Sequence, residues 1–120
     1  MADNNYIVHE NNHGTVNISL EVVAAIAASA ALECQGVAAL HASGKDISGI
    51  ISGKNAAKSV KVTQDDEGIK VEVYLTVKLG VEVGKVGEDV QNAVEAAIES
   101  MTGCQVKYVS VHVTGLSLDK

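Results

Sequence analysis

From Ile69 to Leu79 every second residue is aliphatic: Ile69, Val71, Val73, Leu75, Val77 and Leu79 alternate with Lys70, Glu72, Tyr74, Thr76 and Lys78. A period of two over this length is the signature of a strand with one buried and one open face. Val60 and Val62 begin an earlier strand, and Asp65-Asp66-Glu67-Gly68 supplies the turn that joins it to the long one as a hairpin. A sheet whose one face is solid aliphatic has to be covered by other elements of the same chain.

Two segments have the spacing to cover it. Leu20 to Cys34 reads as a helix, with Ser19 as its N-terminal cap and Gly36 as its stop. Its broad apolar face is Val22, Val23, Ile26, Ala27, Ala30 and Ala31, against a narrow polar stripe of Glu21, Ser29 and Glu33. Ala27 and the other alanines allow close approach, either to the sheet or to a second copy of the chain. Val86 to Thr102 is the second helix, apolar at Val86, Val90, Ala93, Val94, Ala97, Ile98 and Met101, and ended by Gly103. Its outer face is acidic, and Glu88, Glu95 and Glu99 are the residues there that would meet a basic partner.

Thr15–Ile18 and Val106–Thr114 complete the strands, with a short Val37–His41 strand as an optional addition. In the last strand Val109, Val111 and Val113 are expected toward the helices, and Val106, Tyr108, Ser110, His112 and Thr114 on the other side. The expectation is an α+β two-layer sandwich in β-α-β-β-α-β order, with two helices on one face of a mainly antiparallel sheet. Residues 1–13 are polar and aperiodic and read as a flexible tail, 14–116 as one domain, and 117–120 as a short end.

Composition narrows the function. The chain has 120 residues, 47% of them hydrophobic and 20% charged, enough for one core. It lacks Phe, Trp, Pro and Arg, so Val, Ile, Leu and Ala must fill that core. A formal net charge of −6 without a single Arg argues against nucleic acid or an anionic membrane as a direct partner. Lys61, Lys70, Lys78 and Lys107 could gather on one sheet face, but Glu72 lies among them, and the set reads as a solvated face. The first residues have neither a basic start nor an apolar run, which predicts a cytoplasmic chain. The longest apolar stretch, Val22 to Leu32, is too short to insert in a membrane.

No residue pattern announces catalysis. Gly49 to Asn55 has the wrong glycine spacing for a phosphate loop and an Asn where Ser or Thr would be needed. His9 and His13 are four apart but have no third ligand in view, and His41 stands alone. Cys34 and Cys104 lack any motif spacing and read as small apolar residues, although both fall at helix ends where a bridge is geometrically allowed. The carboxylates sit on solvated helix faces and turns. No catalytic residue, metal or cofactor is therefore expected. His112 with Tyr108 on the open sheet face, together with Tyr74, is the constellation with a binding character.

Several segments resemble a known family: Gly14-Thr15-Val16 with Ile18-Ser19, Ala31-Leu32-Glu33 before Gly36-Val37, and a long run from Gly80-Val81-Glu82-Val83 through Val90-Gln91 and Met101-Thr102-Gly103 to Val109-Ser110-Val111-His112-Val113-Thr114-Gly115. From Gly14 onward the chain is similar to the alkaline-shock and Gls-type envelope stress proteins of Gram-positive bacteria, the group that includes the YloU-like proteins. Gly84 stands where that family usually has Pro, which loosens the expected start of the second helix, and the long charged tails of some members are missing. The resemblance places His112 in a family signature. It implies a small, non-enzymatic cytoplasmic protein of cell-envelope homeostasis that self-assembles or docks on a membrane-anchored partner protein. Accessory regulation of an enzyme, or a small RNA-binding role, are the competing expectations.

Overall fold

The computed structural model describes residues 6–40 and 59–118, so His41 and the Gly49–Asn55 segment lie outside the described residues. The elements run β1 (Tyr6–Asn11), β2 (Gly14–Ser19), α1 (Leu20–Leu32), β3 (Val37–Leu40), β4 (Val60–Asp65), β5 (Gly68–Lys78), α2 (Val83–Thr102) and β6 (Val106–Ser117). The architecture is the expected α+β sandwich, with an extra strand at the front.

β5 is the centre of the sheet. Val73 pairs with Val60 on one edge and Val111 on the other, and Leu75 likewise pairs with Leu40 and Val113. β4 and then β3 therefore share one edge of β5, both antiparallel, while β6 runs parallel along the whole of the other. The parallel pairing follows from connectivity, because α2 carries the chain back to the start of the sheet before β6 begins.

The aliphatic row of β5 meets both helices. Val71, Val73 and Leu75 are fully buried, as are Val23, Ala27 and Ala31 of α1 and Val90, Val94 and Ile98 of α2. Each fully buried Val, Leu or Ile is worth roughly 1.5–3 kcal/mol of transfer free energy, so this one layer of contacts dominates stability. Ser19 caps α1 as expected, its Oγ accepting from the Val22 N–H at 3.2 Å.

Four expectations are corrected. The polar run read as part of a tail, Tyr6–Asn11, is a strand. It pairs with β2 from Tyr6↔Ser19 to Asn11↔Gly14, and Ile7 enters the core. The asparagines make the turn, with Asn11 Oδ1 accepting the His13 N–H at 2.7 Å before Gly14 at φ 131°. Helix α2 starts at Val83, a turn before the expected Val86, because Gly84 and Gly87 are accommodated in helical conformation. Val22 is not part of the buried face of α1: it is 49% exposed, and Ala24 and Ala28 take its place. Finally, Val106 is buried, because a register shift between Ile69 and Lys70 skips Lys107 and turns Val106 to the core side.

Candidate interaction face on the sheet

Strand alternation and register decide which residues share the open face. In β5 these are Lys70, Glu72, Tyr74 and Thr76; the parallel register sets Tyr108, Ser110 and His112 beside the first three, and the antiparallel one sets Lys61 beside Glu72. Tyr74 and His112 are direct partners, and their rings stack with centroids 4.6 Å apart and planes inclined by 16°. One oxygen serves both. Glu72 Oε1 accepts the Tyr74 hydroxyl at 3.1 Å and lies 3.5 Å from His112 Nε2. The hydrogen bond to Glu72 raises the Tyr74 pKa, with desolvation and the carboxylate charge acting in the same direction.

A second cluster flanks the first. Lys70 Nζ is 2.7 Å from Asp65 Oδ2 and 5.9 Å from the centroid of the Tyr108 ring, which is 45% exposed. The Lys70 hydrogen bond holds the Asp65 carboxyl below its ordinary pKa, and the same bond raises that of Lys70. Lys107 pairs with Glu67 in the β4–β5 turn. The lysines on this side are thus largely matched by carboxylates, as the presence of Glu72 suggested.

The other expected surface residues divide. Glu88 and Glu95 are exposed on α2. Glu99 is only half exposed, and its Oε2 accepts the Val106 N–H at 3.1 Å, so it pins the start of β6. Gln91 does the same further along, donating to the Val109 carbonyl at 3.0 Å. Ala27, expected as a self-association contact, is completely buried and is corrected to a core residue. Cys34 and Cys104 are unbridged and partly buried. Burial raises the Cys34 thiol pKa first, and Asp89 and Glu33 add to the effect.

Glu72 is the member of this site that sequence reasoning missed. It entered only as a counter-charge among lysines, although its position two residues before Tyr74 in a clean alternation put both on one face. Chemically the arrangement is a flat, amphipathic platform with a titratable edge. His112 and Glu72 have side chains 44% and 39% exposed, so solvent reaches both. Among the described residues no group of His, Cys, Asp and Glu is set to hold a metal ion.

Residues 8–118 match the model of the alkaline shock protein 23 family, described as having a cell envelope-related function. The chain belongs to this alkaline shock protein family. Among its relatives, YqhY of Bacillus subtilis is 36% identical over 125 residues, spanning 99% of this chain and 91% of YqhY. YloU of the same organism is 29% identical over 107 residues, spanning 87% and 89% of the two chains. The family match takes in most of β1, consistent with the front hairpin belonging to the alkaline shock protein domain. A solved MamM CTD covers 80% of this chain and 94% of its own with a TM-score of 0.46 at 16% identity, a likeness too distant to bear on function. Among the described residues no helix of this alkaline shock family member is long and apolar enough to cross a membrane.

Proposed function

We propose that this chain is a non-enzymatic docking module of cell-envelope homeostasis, working on the cytoplasmic side and binding a membrane-anchored partner protein through the open sheet face. The envelope-related function of the family supports the cellular role. The observation that carries the docking role is the Tyr74–His112 stack tied to Glu72, with exposed Tyr108 beside it. Aromatic side chains held rigid on a strand provide contact area at little entropic cost, and tyrosine is the residue type that interfaces favour. An enzyme would need a place to hold substrate out of water, and this pair lies on an open face.

The test is complementation of a deletion strain with wild type, Tyr108→Ala and His112→Ala, alongside cross-linking to the membrane fraction. Both side chains are well exposed, so the variants keep the fold, which circular dichroism checks. Loss of envelope-stress tolerance together with loss of the cross-linked partner is the expected result. Full complementation and unchanged cross-linking by both variants would rule the face out. Salt-sensitive binding of single-stranded RNA that the same variants abolish would assign the platform to RNA instead.

A further inference from the structure

β6 is an outer strand: among the described residues it pairs with β5 alone. An edge strand presents a row of unpaired N–H and C=O groups, which a folded chain has to cover or blunt. Helix α2 covers the first part of this row. Glu99 Oε2 accepts the Val106 N–H at 3.1 Å and Gln91 Nε2 donates to the Val109 carbonyl at 3.0 Å, so both backbone groups point away from β5. The register from Val109 to Val113 is unbroken, and alternate residues turn their backbone groups to the same side, so those of Val111 and Val113 point outward too. Among the described residues no side chain bonds to them. One and two turns before Gln91, on the same side of the helix, stand Gly87 and Gly84, and a Cβ at either would meet nothing within 4 Å. The edge is therefore closed at Val106 and Val109 and open at Val111 and Val113, and Val113 is 39% exposed.

Charge at this edge selects what completes it. Glu88 and Glu95 stand one turn either side of Gln91, on the α2 face that borders β6, and both are exposed. Among the described residues no cation pairs with either. From Tyr108 to Leu116 the strand has no Lys, Asp, Glu or Pro, so it neither balances these carboxylates nor blunts the edge. Two copies joined edge to edge would bring both carboxylate rows to one seam of a chain already at −6. A lysine or arginine of an extended chain fits instead, its aliphatic stem against Val113 and its charged head at the carboxylates. We infer that the outer edge of β6 is a strand-addition site for an extended segment of a partner protein with Lys or Arg at alternate positions, which pairs its backbone with Val111 and Val113 and its cations with Glu88 and Glu95. The edge is distinct from the Tyr74–His112 face, and neither site depends on the other.

A fluorescein-labelled peptide of about eight residues alternating Lys and Thr, titrated with the full chain and followed by anisotropy, is the probe. One control is a Glu–Thr peptide of equal length. The other is the Lys–Thr peptide with every backbone nitrogen methylated, which keeps the charge and cannot donate to a strand. The Lys–Thr peptide is expected to bind and neither control to match it, with affinity falling about ten-fold in Gly84→Gln with Gly87→Gln and in Glu88→Gln with Glu95→Gln. The glycine variant leaves the net charge unchanged and extends the Gln91 row over the open edge; circular dichroism checks that both double variants stay folded. Absence of binding, equal binding of either control, or unchanged affinity in either double variant overturns the inference. So does a wild-type dimer in sedimentation that the glycine variant dissociates, which would make a second copy the occupant.

Discussion

Tyr74 and His112 lie side by side across the parallel β5–β6 pair, stacked at 4.6 Å, and Glu72 Oε1 receives the tyrosine hydroxyl at 3.1 Å while lying 3.5 Å from the histidine ring nitrogen. Neither the stack nor the shared oxygen is needed to bury the core, which closes on the other face. The cluster stiffens the outward side of two strands and holds three polar groups in one place.

Tyr74 is kept protonated by its bond to Glu72, so its folded pKa lies above the unfolded value. The contribution to stability is complete below the unfolded pKa of roughly 10 and is lost as pH rises through the folded one. Tyr74→Phe is therefore expected to flatten the fall in unfolding free energy above about pH 10, measured by urea titrations at stepped alkaline pH. An alkaline limb identical to wild type would contradict the assignment.

Asp65 gives the opposite sign. Its folded pKa lies below the ordinary value of 3.8 because Lys70 donates to it, so its contribution is present above that value and lost as pH falls through the folded pKa. In Lys70→Met, the Asp65 carboxyl carbon signal in NMR is expected to titrate at higher pH than in wild type. The same substitution removes the cation over Tyr108.

Much of this was legible in the chain, and the exceptions have identifiable causes. Strict alternation settled β5, since a slip of one residue would have turned Val71, Val73 and Leu75 to solvent. Ser19 and Gly103 marked helix ends by the usual cap chemistry, with the Ser19 hydroxyl as acceptor and Gly103 at φ 74°. The front hairpin is hard to read because Asn11, Asn12 and His13 have the polarity of a disordered tail, although Asn-rich runs ending in Gly also make turns. Val106 was missed because a bulge inverts the alternation before it, and no residue type announces that. The Tyr74–His112 stack is half legible: alternation puts both residues on the open face, but contact between their rings depends on the parallel register of β5 and β6, which neither strand's own pattern gives.

Glu95 and Glu99 test how two acids one turn apart can differ. Glu99 accepts the Val106 N–H at 3.1 Å, and α2 ends on the Gly103 N–H donating to the Glu99 carbonyl at 2.9 Å. Glu99→Ala leaves the Val106 donor without its partner and is expected to cost about 1–2 kcal/mol in urea unfolding. Glu95→Ala removes only an exposed carboxylate and is expected to change stability by less than about 0.5 kcal/mol. Equal effects would show that Glu99 does not hold the start of β6.

Gly36 and Gly80 share a backbone conformation but not a neighbourhood, which separates strain from crowding. Their φ angles are 94° and 95°, so a side chain at either position carries the left-handed penalty of roughly 1–2 kcal/mol. A Cβ at Gly36 would also come within 2.6 Å of Val86 Cγ2, and Val86 is 3% exposed in the first turns of α2, whereas a Cβ at Gly80 meets nothing within 4 Å. Relief would require moving Val86, which packs in the core, and overpacking of this kind adds about 1–3 kcal/mol. Gly36→Ala is thus expected to lose about 2–5 kcal/mol in all, and Gly80→Ala only the conformational part. Gly80→Asn should cost less than Gly80→Ala, because asparagine enters that region more readily. If Gly36→Ala and Gly80→Ala unfold at the same urea concentration, α2 does not close over the end of α1 as tightly as the Gly36–Val86 contact requires.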